Sequence, residues 1–316
     1  MSLVITLPAL RPTPASFHRD LHTESDRLSV PCGRKMLMLA EADAATLVDE
    51  VNAATGADLV LRGIAAQGGT GGAVFVRWPD GREGVATPSI APLAALQQQA
   101  ELMILARSRG ISVPEYQLVV PLAERRVIVQ ERVPGEVKRL DVAKLETMIE
   151  VNEQFTDLLA DRPDVPAPML LLRHERGCGP LETHSARSRR LLDCVREVGD
   201  VEMHGTDLVH ADLNHTNVLF DNDDTLTGVI DWDLSTARGD RHFGLVKMRY
   251  ILEWEAPDPV VLARLDEILE DLIEPETLRA YWAHWGLRLV DWTIRHFKPR
   301  DVDLHLRLAE SRLLAL

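Results

Sequence analysis

At 316 residues, 46% hydrophobic and 27% charged, the chain has the composition of a soluble globular protein and room for a two-lobed enzyme. A formal net charge of −14 argues against a nucleic-acid partner, whose phosphates an acidic surface repels, and is compatible with a cationic small molecule. No apolar run is long enough for a membrane span, and no basic segment precedes the first apolar patch as a secretory signal requires. Cys32, Cys178 and Cys194 are too widely spaced for a metal site, so reduced thiols in a cytoplasm are expected.

Residues 1–39 hold prolines at 8, 12, 14 and 31 and little periodicity, and read as an N-terminal extension. Residues 40–55 place Ala45, Leu47, Val48 and Val51 at helical spacing, with Gly56 as the stop. Strands are expected over 58–67 and 73–78, joined by the run Gly68, Gly69, Thr70, Gly71 and Gly72. Asp80 and Gly81 then turn the chain into a third strand over 84–87. A helix over 91–109 follows, then strands over 117–122 and 126–130, and a linker over 130–135. Helices are expected over 142–159 and 185–198, with a proline-braced loop at 161–168 between them. Arg187, Arg189, Arg190 and Arg196 read as a solvated basic face. Beyond residue 240 the periodicity predicts helices over 246–254, 259–273, 276–297 and 302–316. Trp282, Trp285, Leu289 and Trp292 recur at helical spacing and read as core packing.

The stretch 208–235, LVHADLNHTNVLFDNDDTLTGVIDWDLS, organises the rest. Val218-Leu219-Phe220 and residues 226–230 are two short strands, with a polar turn over 221–224 between them. Asp212 and Asn217 stand at the entry of this hairpin and Asp231 at its exit, so closing it draws the three together. Strand alternation puts Asp233 on the same face as Asp231. Such a set suits phosphoryl transfer, which needs a carboxylate to orient a hydroxyl and hard oxygen ligands for magnesium on nucleotide phosphates.

His210-Ala-Asp212-Leu-Asn-His-Thr-Asn217 followed by Ile230-Asp-Trp-Asp233 resembles the catalytic loop and metal site of the aminoglycoside phosphotransferase and choline kinase superfamily. The resemblance implies an α+β, protein-kinase-like fold. Residues 40–134 would form a small lobe with a five-stranded antiparallel sheet and a helix, and 135–316 a larger helical lobe. It makes Asp212 the catalytic base and Asn217 and Asp231 the ligands of Mg2+, with Asp233 facing the substrate. The amides of Gly68, Gly69, Thr70, Gly71 and Gly72 would cover the phosphates of ATP or GTP. Glu131 and Val133 would meet the base of the nucleotide through their backbone. Thr87 stands where the family carries a phosphate-binding lysine, and Gln99 where a helix supplies its glutamate. Arg77 or Arg82 offers a substitute charge, although solvated surface arginines are the plainer reading. Gly244 replaces the aspartate of the family's G-D-x-x-x-D-L segment, at Gly239-Asp240. The implied reaction moves the γ-phosphate to a hydroxyl of a small molecule, such as an aminoglycoside, another antibiotic, choline or a sugar, in a monomer or homodimer. A ligand-binding pseudokinase and a protein kinase are the rival readings: neutral Thr87 and Gln99 favour the first, and the lack of an A-P-E segment opposes the second.

Overall fold

The computed structural model describes residues 41–65, 72–123, 125–168, 170, 179–198, 201–233, 235–255 and 258–313. The expected extension, and Gly68 to Gly71 of the glycine run, lie outside these residues.

Helix α1 (Glu41–Thr55) buries Leu47, Val48 and Val51 of the stripe read from the sequence, but it buries Ala44 where Ala45, which is exposed, was expected. That stripe packs on one face of a five-stranded antiparallel sheet, against Val74, Val76, Ala86, Val120, Val127 and Val129. The strands are β1 (Val60–Ile64), β2 (Val74–Arg77), β3 (Glu83–Ser89), β4 (Tyr116–Pro121) and β5 (Arg126–Glu131), in spatial order β1-β2-β3-β5-β4. Ala65 N–H donates to the Ala73 carbonyl at 2.9 Å, so β1 and β2 bracket the glycine run as one hairpin. Helix α2 (Leu93–Ser108) turns Leu96 onto the opposite face of the sheet, against Ile128 and Ala91. Further along α2, Leu102, Met103 and Ala106 enter the core of the helical half, tying the two halves together.

After β5 the linker crosses to that half and is pinned there. Glu136 and Phe220 exchange both backbone hydrogen bonds at 3.0 Å. Helix α3 (Val142–Glu153) starts at Asp141, whose carboxylate accepts from the Lys144 N–H at 2.9 Å. It ends at Glu153 and gives way to turns, short of the predicted 159. Helices α4 (Gly179–His184) and α5 (Ala186–Val198) follow. Of the arginines of α5, the Arg187 guanidinium holds Glu310 and Asp303 and Arg196 reaches Glu182, while Arg189 and Arg190 stay exposed as expected.

The central stretch forms two small sheets. Strand β7 (Val218–Phe220) pairs with β8 (Leu226–Val229) as the expected hairpin. Outside it, β6 (Asp207–His210) pairs with β9 (Thr236–Gly239), a ladder that no local signal announced. Helices α6 (Phe243–Glu255), α7 (Pro259–Leu272), α8 (Pro275–His296) and α9 (Pro299–Leu313) complete the main core. Trp282, Trp285 and Leu289 are buried in it as expected, while Trp292 is partly exposed. None of the described helices is long and apolar enough to cross a membrane.

Candidate active site

The loop after β6 is held from three directions. Its last strand residue, His210, is fully buried and packs against Trp232 with ring centroids 4.3 Å apart. The imidazole Nε2 donates to the Ile230 carbonyl at 3.0 Å, and Nδ1 accepts from the Asp212 N–H at 3.2 Å. Both bonds require the neutral ring, and burial pushes its pKa down to about 4. A neutral, fixed imidazole therefore sets the backbone of Asp212. From below, α6 approaches so closely that a Cβ on Gly244 would lie 2.2 Å from the His210 carbonyl oxygen. The missing aspartate at this position is thus replaced by direct backbone packing, because no side chain fits. Asp240, four residues earlier, anchors a network behind the loop. His242 bonds it at 3.0 Å and Glu153 at 3.1 Å, and the Tyr281 hydroxyl donates to it at 2.9 Å.

Within the loop, Asn214 caps a 3₁₀ turn (His215–Asn217) by accepting from the Thr216 N–H at 2.9 Å. Its amide also donates to the Asp212 carboxylate Oδ1 at 3.1 Å. Asn217, buried, donates from Nδ2 to the Asp212 carbonyl at 2.9 Å, which leaves its Oδ1 as the donor atom available to a metal. Its own carbonyl accepts from the Ile230 N–H at 2.8 Å. That one bond couples Asn217 to the strand end that delivers Asp231.

Asp231 follows with φ of +62°, a left-handed conformation that L-residues seldom adopt and that aims its side chain back into the cleft. Trp232, pointing the other way, is buried with its indole N–H on the Val229 carbonyl at 2.8 Å. The Asp231 side chain is open to water on the cleft side and hemmed in by protein elsewhere. That enclosure, followed by the charges of Asp212 and Asp233, raises its pKa to about 6. Asp212 and Asp233 thus both lie near enough for their charge to act on Asp231. Asp233, with Asp231, also acts on the Tyr116 phenol of β4, whose pKa burial first raises.

The residue that sequence reasoning missed is Lys247. Its ammonium contacts Asp212 Oδ1 at 2.5 Å and sits 5.3 Å from the centroid of the Trp285 ring. Its charge also reaches Asp231. The available signal was a lone lysine in the run Leu245-Val246-Lys247-Met248, whose other members are all fully buried. Arg77 and Arg82, the sequence candidates for a substitute charge, are engaged on the surface by Glu83 at 3.1 Å and Asp80 at 2.7 Å.

On the sheet side, Thr87 pairs with Ile128, placing it on the face that α2 covers. Gln99 is buried, and its amide donates to the Tyr116 hydroxyl at 2.8 Å rather than to Thr87. Of the linker residues, the Glu131 N–H already donates to the Glu115 carbonyl at 2.8 Å. The Val133 N–H and C=O bond no other described residue. Gly72, at the end of the glycine run, has φ of +70°.

Three acidic, histidine or cysteine side chains do not converge on one point as a metal cage anywhere among the described residues.

The model of the phosphotransferase enzyme family matches residues 62–282. No curated protein sequence matches the chain. Among solved structures, aminoglycoside phosphotransferase APH(4)-Ia is similar with a TM-score of 0.59 and 17% identity, over 86% of this chain and 99% of that one. A variant of it is known as a ternary complex with ADP and hygromycin B. An aminoglycoside-3'-phosphotransferase of type VIII gives 0.54 and 20%, over 76% and 98%. An aminoglycoside phosphotransferase of Alicyclobacillus acidocaldarius gives 0.55 and 13%, over 90% and 96%. These likenesses confirm the α+β, kinase-like fold that the catalytic-loop motif implied. The family match spans the sheet, the linker, the catalytic hairpin and α6 to the first turns of α8, so the chain belongs to the phosphotransferase enzyme family and is a small-molecule kinase.

Proposed function

We propose that the protein transfers the γ-phosphate of ATP or GTP, with magnesium, to a hydroxyl of a small molecule, in the cleft between residues 40–134 and 135–316. The observation that carries this reading is the state of Asp212. Its Oδ1 is held by Lys247 and Asn214, which orients Oδ2 toward an incoming hydroxyl. Such a carboxylate accepts the hydroxyl proton as the alcohol oxygen bonds to the γ-phosphorus and the bond to the β-phosphate oxygen breaks. Little covalent work falls to the protein, whose task is to align the two oxygens. Lys247 stands beside the path of the phosphoryl group and offsets the crowding of Asp212 and Asp231.

Asn217 Oδ1 and the Asp231 carboxylate would hold magnesium, which when bound supplies positive charge to the phosphates. The raised pKa of Asp231 supports this, because a carboxyl disfavoured by neighbouring carboxylates is one that a cation stabilises. Gly72 with the glycine run, Thr87, Val133 and the Glu131 carbonyl would line the nucleotide. The ADP in the complex of the APH(4)-Ia variant supports a nucleoside triphosphate as donor, and its hygromycin B a hydroxylated acceptor.

The test is binding of magnesium and the non-hydrolysable analogue AMP-PNP by calorimetry, with transfer of labelled γ-phosphate to a pool of hydroxylated small molecules. Saturable, magnesium-dependent binding with labelled product is expected. Binding without transfer to any acceptor would favour the pseudokinase reading that Thr87 and Gln99 suggested, and no binding would reject both.

A further inference from the structure

In the proposed reaction the nucleotide lies against the sheet, so the acceptor reaches Asp212 from the side of α6 and α8. The charge on that side is opposite to the charge of the chain as a whole. Lys247 projects from α6 onto Asp212, over the ring of Trp285 from α8. One turn further along α8 is Arg288, three residues past Trp285. Both cations act on the same buried imidazole, His284, whose pKa burial first, and then these two charges, push down to about 3. Lys247 and Arg288 thus share Trp285 as a neighbour, Lys247 over its ring and Arg288 one helical turn further along.

Arg288 has no ion pair among the described residues, whereas several arginines of this region do. Arg249 holds Glu253 and Asp266, Arg312 holds Asp266, and Arg187 holds Glu310. Arg288 is exposed, and no carboxylate among the described residues lies within ion-pairing distance of it. The acid that acts on it, Asp291, is bound by Arg295 at 2.8 Å. An unspent guanidinium beside a second cation is a ready site for a planar anion, which its fork binds through two hydrogen bonds. A polyammonium acceptor would instead bring like charge against Lys247 and Arg288.

We propose that the acceptor carries an anionic group, a carboxylate or a phosphate, which Arg288 binds while the hydroxyl sits at Asp212. The inference rests on the phosphotransferase reading above and narrows it from any hydroxylated molecule to a hydroxylated anion. Solvent exposure of the arginine places the anion at the mouth of the site and the hydroxyl at its floor.

A matched set of diols tests it: glycerol, glycerate, glycerol 3-phosphate and 3-amino-1,2-propanediol share a hydroxylated frame and differ in charge. Each is titrated into the protein loaded with magnesium and AMP-PNP, and each is assayed as acceptor with ATP. At least one anionic diol is expected to bind roughly tenfold or more tightly than glycerol, with the amine weakest, as one well-made charged hydrogen-bonded pair provides. Arg288→Ala should remove that preference and raise KM for the anionic diol, with kcat and nucleotide affinity nearly unchanged. Arg288→Lys, which keeps the charge and loses the fork, should fall between. Equal binding of all four, preference for the amine, or no saturation by either anion at tens of millimolar overturns the proposal. Failure of the loaded complex to form would instead reject the phosphotransferase reading, and the two failures are thereby distinct.

Discussion

The sheet side and the hairpin side of the cleft have kept different things. On the sheet side the positions that face the proposed nucleotide are neutral: Thr87 on β3, and Gln99 bonded to the Tyr116 hydroxyl. On the hairpin side stand the groups proposed for phosphoryl transfer, with Lys247 2.5 Å from the proposed base. Between these two sides, the lysine lies on α6 and not on the sheet. A lone lysine on β3 would face Gln99 without a carboxylate partner, whereas Lys247 is stabilised by Asp212 and by the Trp285 ring. The contrast teaches that the site keeps its charge balance even where it abandons the usual position for the charge.

The strongest way to break that comparison is at its catalytic end. Asp212→Ala should lower turnover by about two to four orders of magnitude, the range of a general base, while leaving AMP-PNP affinity near wild type. Retention of most activity in that variant would sink the assignment of the base. Asp231→Ala should abolish the magnesium dependence of nucleotide binding, since it removes one of two proposed ligands. The same residue sets a pH signature. Its pKa is raised to about 6, so the proton must leave before a cation binds, and magnesium-dependent affinity should rise with pH through about 6 and level off above. Asp231→Asn should flatten that profile in calorimetry, and an unchanged profile would detach the effect from this group.

Lys247→Met should cost roughly tenfold to a hundredfold in kcat, because it frees Asp212 to misalign. Nucleotide affinity should change little if the lysine serves the acceptor side of the cleft. Lys247→Arg should recover part of the loss. Gly244→Ala tests the packing beneath the loop. Its Cβ would drive into the His210 carbonyl, so unfolding should show a loss of about 2 kcal/mol or more, with activity falling in step. At the other end of the comparison, Thr87→Lys should shift nucleotide affinity by less than about threefold, since Gln99 is committed to Tyr116 and offers no carboxylate. A large gain there would mean that the sheet side is merely lacking a charge it still has the geometry to use.

Local sequence signals determined the parts of this protein that depend on neighbours in the chain. The periodicity of residues 40–55 depends only on spacing, and Leu47, Val48 and Val51 are buried accordingly, with the stripe's edge falling on Ala44 instead of Ala45. The β7–β8 hairpin and the offset of Asp212 to Asn217 are likewise local, so the residues proposed as base and metal ligands could be named before any fold was known. What tertiary structure decided is everything that required two distant segments to meet. The β6–β9 ladder pairs residues separated by a hairpin and a metal site, and no pattern within either strand specifies its partner. Lys247 lies 35 residues from Asp212 on a helix whose periodicity says only that it packs. The net charge of −14 describes the whole surface, whereas Lys247 meets Asp212 at 2.5 Å, and electrostatic energy falls too steeply with distance for the sum to predict the site.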